Sequence, residues 1–101
     1  NLIFNAIDAM PGGGKLEIAA ERDQTEGFVA ISVKDTGSGI SEKDLPHIFE
    51  PFYTTKKNGY GVGLGLSTVY GIMERHRGKV EVKSIKGGVV FILRLPLSHN
   101  I

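Results

Sequence analysis

The chain has 101 residues, a formal net charge of +1, and 41% hydrophobic against 23% charged side chains, which suits one globular domain with a modest core. That charge balance gives no electrostatic case for nucleic acid or for an acidic membrane surface. With no cysteine, disulfides and thiolate metal sites are excluded, and no apolar run approaches the roughly 20 residues needed to span a bilayer.

Taken in chain order, Leu2, Ile3, Ala6, Ile7, Ala9 and Met10 recur at helical spacing. Asn1, Asn5 and Asp8 share the opposite stripe, and Pro11-Gly12-Gly13-Gly14 ends the helix. A strand is predicted at Lys15–Arg22, where Leu16, Ile18 and Ala20 alternate with their neighbours. A turn over residues 23–27 leads to a second strand, Phe28–Lys34, with Val29, Ile31 and Val33 on one face.

Residues 35–39 read as a loop, and Ser41 with Glu42 and Asp44 as a short-helix start with Pro46 in its first turn. Phe49 and Phe52, on either side of Pro51, read as packing residues that anchor the next loop. Residues 54–63 are polar and glycine-rich, the composition of a mobile loop. A longer helix is expected over about 64–75, with Leu66, Val69, Tyr70 and Met73 as its apolar stripe and Gly78 as its terminator. Strands at Lys79–Ile85 and Val89–Leu95 close the chain as a hairpin around Lys86-Gly87-Gly88. Strands with helices before and between them predict a two-layer α+β sandwich.

Glycine is high, at 14 residues, and clusters where backbone must turn or approach a ligand closely. Carboxamides one turn apart, Asn1 and Asn5, are hard oxygen donors suited to Mg²⁺ or its water shell, although a solvated polar face has the same pattern. In Asp35-Thr36-Gly37-Ser38-Gly39 a carboxylate can accept a hydrogen bond from an exocyclic amine such as adenine's, and the glycines admit a flat ring. An ordinary Asp-Gly turn fits those residues equally.

Gly61-Val62-Gly63-Leu64-Gly65-Leu66 runs into the predicted helix, whose N-terminal amides and partial positive charge attract phosphate. A flexible hinge is the alternative. The string is neither a dinucleotide fingerprint nor a P-loop. Lys56 and Lys57 can offset phosphate charge, or simply be solvated. His47, His76 and His99 share no metal-ligand spacing, and none is assigned a catalytic role.

These motifs, in this order, resemble the ATP-binding catalytic domain of sensor histidine kinases over nearly the whole chain. Residues 1–9 look like the family's asparagine box, 35–40 its first glycine box, 48–56 its phenylalanine box and 61–65 its second glycine box. The resemblance implies a Bergerat-type α/β sandwich, with a mixed, mainly antiparallel sheet covered on one face by helices. It implies ATP and Mg²⁺ as cofactors, with Asn5 as the metal ligand. Asp35 would meet the adenine amine and Gly39 the ring. The nucleotide would be bordered by Asn1, Asn5, Asp35, Gly37, Gly39, Ile40, Lys56, Gly61, Gly63, Leu64, Gly65 and Leu66.

By the same resemblance no catalytic residue lies in this chain. The phosphoacceptor histidine belongs to a separate dimerisation domain of a homodimeric, cytoplasmic parent with or without a membrane anchor, and a response regulator receives the phosphoryl group. Two departures stand out. Val89 follows Gly88 where the family often has a threonine that helps hold adenine. The chain also opens inside a helix without an initiator methionine, so residues 1–101 read as one domain truncated at its N-terminus. The family's preceding strand and helix would be missing, and stability of this piece alone is expected to be poor. The alternatives are an ATP-hydrolysing conformational module of another Bergerat-fold family, or a degenerate scaffold without ATP.

Overall fold

The computed structural model describes residues 1–53 and 65–97. The expectations for residues 54–64, with Lys56, Lys57, Gly61, Gly63 and Leu64, and for His99 lie outside the described residues. Among the described residues the elements run α1 (Leu2–Asp8), β1 (Leu16–Arg22), β2 (Phe28–Asp35), a 3-10 turn (Leu45–His47), α2 (Gly65–Arg75), β3 (Lys79–Ile85) and β4 (Gly88–Pro96). The four strands form one sheet in the order β1-β2-β4-β3, and every pairing is antiparallel. β2 and β4 are neighbours although not consecutive, so the chain between them crosses over, carrying the 3-10 turn and α2.

Register explains the layers. Val29, Ile31 and Val33 pair with Leu95, Leu93 and Phe91, and Val80 and Val82 pair with Leu93 and Phe91. Because side chains alternate across a strand, these apolar rows share one face of the sheet. Onto that face pack Leu2 of α1, Val69 and Met73 of α2, and Ile48, around a fully buried Phe91. Phe49 joins the cluster by an edge-on contact with Phe91, ring centroids 6.4 Å apart, and a tilted one with Tyr70 at 5.7 Å.

Several details depart from the sequence expectations. In α1 the inward residues are Leu2 and Ala6, with Asn5 half-buried beside them, while Ile3, Phe4 and Ile7 are exposed. The helix turns the asparagine stripe partly inward, because Leu2 and Ala6 alone face β2 and α2. Every residue of β1 is exposed, Ile18 included, since β1 is an edge strand and α1 barely reaches it. The expected short helix after Ser41 is a single 3-10 turn. Tyr70 is only half-covered, and Phe52 is 73% exposed with a φ of 68°, so of the two phenylalanines only Phe49 is a packing residue.

The end of α2 also differs from expectation. Arg77, not Gly78, takes the left-handed conformation, with φ 59°. The Gly78 amide donates to the Met73 carbonyl at 2.8 Å and the Arg77 amide to the Glu74 carbonyl at 3.0 Å, the pair of bonds that closes a Schellman motif. Gly78 is needed for space instead: a Cβ there would lie 2.5 Å from the Arg94 carbonyl oxygen. On the outer sheet face Arg94 pairs with Glu81 across to β3 and, at 3.2 Å, with Asp23 in the β1–β2 turn. Burial is the largest single influence on Asp23 and works against its charge, but the hydrogen bond and charge of Arg94 and the amides of Thr25 and Gln24 together outweigh it and hold the carboxyl below its ordinary value.

Candidate nucleotide-binding site

The loop after β2 is held from two sides, and its glycines are where the two holds close. Asp35 ends β2 and is 3% exposed, the only buried charged side chain among the described residues. Its Oδ1 accepts the Gly37 amide at 2.8 Å, an Asx-type turn that bends the loop back on the strand end. On one side lies the C-terminus of α1. The Ser38 amide donates to the Ala9 carbonyl at 3.2 Å, and a Cβ on Gly37 would fall 2.4 Å from that same oxygen. Thr36 adds a second tie, its Oγ1 accepting the Lys15 amide at 2.9 Å and lying 3.6 Å from the Met10 sulfur.

On the other side lies the β3–β4 hairpin. A Cβ on Gly88 would meet the Asp35 carbonyl oxygen at 1.8 Å, so only glycine lets the hairpin come this close. Gly39, with φ +79°, turns over the hairpin: its Cβ position is 3.4 Å from Ser84 Oγ and 3.8 Å from the Gly88 carbonyl oxygen. The Ile40 amide donates to Ser84 Oγ at 3.4 Å. Pairing puts Asp35, Val89 and Ser84 side by side in one row of the core-facing surface.

The asparagine helix meets the start of α2. The Cβ position of Gly65 is 4.0 Å from both Cγ and Oδ1 of Asn1, so the Asn1 carboxamide lies against the first residue of that helix. Asn5, one turn on, is half-buried. Thus Asn1 and Gly65 are neighbours, and the end of α1 and Gly37 are neighbours. Ile40 and Leu66 turn apolar side chains to the core. No group of three or more His, Asp or Glu side chains able to hold a metal occurs among the described residues. An oxygen-seeking cation here would therefore depend on carboxamide and ligand oxygens, for which half-buried Asn5 is suited.

At the other end of the loop, Tyr53 donates its hydroxyl to Asp44 Oδ1, and Ser41 donates to Asp44 Oδ2 at 2.8 Å. The Asp44 amide returns a bond to Ser41 Oγ at 3.3 Å, closing the turn. The hydroxyls of Tyr53 and then Ser41 hold the Asp44 carboxyl below its ordinary value, and Asp44 in turn pushes the Tyr53 hydroxyl up. His47 Nδ1 lies 2.7 Å from Glu50 Oε2 in the same turn.

Sequence reasoning overlooked Ser84, Thr36 and Ser38. Ser84 had a usable signal: it continues the apolar parity of Val80 and Val82, so a hydroxyl breaks an otherwise apolar face. The role of the Ser38 amide is a backbone contact that its side chain does not encode.

Comparison with known proteins agrees with this fold. A family described as histidine kinase-, DNA gyrase B-, and HSP90-like ATPase matches residues 1–99. Sporulation kinase E of Bacillus subtilis is 44% identical over 99% of this chain, which spans only 13% of that kinase. The catalytic domain of histidine kinase ThkA superposes with a TM-score of 0.80 at 40% identity, covering 94% of this chain and 61% of that one. ThkA in complex with the response regulator protein TrrA gives a TM-score of 0.76 at 37% identity, over 97% of this chain and 27% of that one. The chain thus spans a small part of the curated relatives it matches. It belongs to the histidine kinase-, DNA gyrase B- and HSP90-like ATPase family, whose members bind ATP.

Proposed function

We propose that this chain is the ATP-binding catalytic domain of a two-component sensor histidine kinase. The observation that carries the reading is the buried carboxylate of Asp35, set at a strand end inside a glycine loop clamped between α1 and the β3–β4 hairpin. A carboxylate so placed accepts a hydrogen bond from the adenine amine, while Gly37 and Gly39 keep side chains away from the ring. Asn1, beside Gly65 at the start of α2, faces the helix end that favours phosphate. Asn5 would hold Mg²⁺ through its carboxamide oxygen, and the ion would neutralise triphosphate charge. Ile40, Lys56, Gly61, Gly63, Leu64, Gly65 and Leu66 complete the proposed binding set.

Phosphoryl transfer asks a protein mainly to position groups and offset charge. Asp35 and the glycine loop fix the base, and the α1 carboxamides fix the phosphate end. The γ-phosphoryl group would then pass to a histidine on a separate dimerisation domain of a homodimeric parent, and on to a response regulator. The ThkA–TrrA complex supports that partner by kinship. No nucleic-acid partner is proposed, and a cytoplasmic position follows from the need for ATP.

Incubating the full-length parent with γ-labelled ATP tests the assignment. Acid-labile, base-stable label on a histidine outside these 101 residues is expected, and none on this chain. Label on a residue of this chain, or ATP hydrolysis without any phosphohistidine, would contradict it.

A further inference from the structure

Ser84 lies outside every motif that led to the nucleotide reading, yet it touches the loop at the centre of that site. Two independent contacts bring it there. The Ile40 amide donates to its Oγ at 3.4 Å across 44 residues of sequence, and the Gly39 Cβ position is 3.4 Å from the same oxygen. Strand pairing adds a third relation. Ser84 is directly opposite Val89, and Val89 directly opposite Asp35, so the three side chains stand in one row on the core-facing side of the sheet.

Val89, in the middle of that row, is buried and has no polar side-chain atom. The hydroxyl nearest along the row to the Asp35 carboxylate is therefore that of Ser84. As an acceptor from Ile40 it fixes the far end of the loop, just as the Asp35 carboxylate fixes the near end through the Gly37 amide at 2.8 Å. A hydroxyl that accepts one hydrogen bond still has its own proton to donate.

We propose that Ser84 is a positioning residue for the adenine base: its hydroxyl latches the turn at Gly39 and Ile40 to β3 and so fixes the far end of the loop that meets the base. This rests on the reading of Asp35 as the adenine-binding carboxylate. The loop then needs no rearrangement on binding, and the saved ordering cost appears as affinity. The latch acts on the base end of the nucleotide, so it supports binding in the ground and transition states alike. Such a contribution raises KM when lost and leaves kcat unchanged.

The test is autophosphorylation of the full-length parent carrying Ser84→Ala or Ser84→Thr, with KM for ATP and kcat measured separately and thermal unfolding followed for each variant. A neutral hydrogen bond is worth a factor of roughly 2 to 12 in affinity. Ser84→Ala is expected to raise KM for ATP by about that factor, with kcat within about twofold and an unchanged melting temperature. Ser84→Thr, which keeps the hydroxyl, restores KM. The proposal is overturned if Ser84→Ala leaves KM unchanged, if kcat and melting temperature fall with it, or if Ser84→Thr behaves like Ser84→Ala. Failure of the unmutated parent to bind ATP would overturn the nucleotide reading itself, and the latch with it. A parent that binds ATP while Ser84→Ala matches it overturns the latch alone.

Discussion

Gly37 lies so close to Ala9 that a Cβ on Gly37 would sit 2.4 Å from the Ala9 carbonyl oxygen, and the adjacent Ser38 amide bonds that oxygen at 3.2 Å. The helix with the asparagines and the loop with the buried carboxylate are thereby locked together through backbone. A shift of either would strain that contact, and the proposed nucleotide site, with its base end on the loop and its phosphate end on the helix, depends on the two staying in register.

Gly37→Ala should therefore be costly. The obstacle is the Ala9 backbone, which cannot swing aside as a flexible side chain would, so a loss of about 1–3 kcal/mol is expected in denaturant unfolding, together with weaker ATP binding. Gly12→Ala is the control. Nothing lies within 4 Å of a Cβ at Gly12, so its stability should change by less than about 0.5 kcal/mol. Equal effects at the two positions would show that the contact between Gly37 and Ala9 carries no weight.

The C-terminus of α2 predicts a gain. Arg77 occupies a left-handed position at φ 59°, which glycine tolerates without a clash from Cβ. Arg77→Gly should stabilise the domain by about 0.5–1 kcal/mol, with ATP affinity unchanged. A loss of stability would mean that the Arg77 side chain makes a contribution larger than its backbone cost.

Acid should loosen the segment between the 3-10 turn and Tyr53. The Asp44 carboxyl is held below its ordinary value by the hydroxyls of Tyr53 and Ser41. A lowered folded-state pKa means the stabilisation is present above the unfolded value and is lost as pH falls through the folded one. Stability should thus decline below about pH 4, and Asp44→Asn should flatten that part of the profile. An identical acid profile in Asp44→Asn would rule the network out as its source.

Much of the fold was legible because periodicity and turn chemistry agreed. β2, β3 and α2 fell within a residue of their expected bounds, since each has an unbroken apolar rhythm between glycine or polar breaks. What the sequence hid was which apolar residues found a partner. Ile3, Ile7 and Ile18 have the rhythm of core residues but face no other element, because burial depends on what packs opposite and not on pattern alone. Gly78 looked like a helix terminator, yet its bareness serves the approach of β4, and Arg77 does the turning.

For the site, the motif glycines were visible but their reasons were not. Gly37 and Gly88 are glycines because of Ala9 and Asp35, residues 28 and 53 positions away in the chain, and only the folded backbone reveals those approaches. Ser84 breaks the apolar parity of Val80 and Val82, which is visible in the sequence, but its partner, Ile40, is 44 residues distant and is revealed only by the fold.

Nucleotide binding through Asp35 is the most direct test of the proposed function. Calorimetric titration of the full-length parent with a non-hydrolysable ATP analogue and Mg²⁺ should give saturable one-site binding. Asp35→Asn keeps the size of the side chain but turns a wholly accepting group into one that also donates, and a buried charge-assisted bond is worth about 1.5–3 kcal/mol. Affinity should fall by roughly 10- to 150-fold, with the fold intact by circular dichroism. Undiminished binding by Asp35→Asn, or no binding by the unmutated protein, would contradict the central claim.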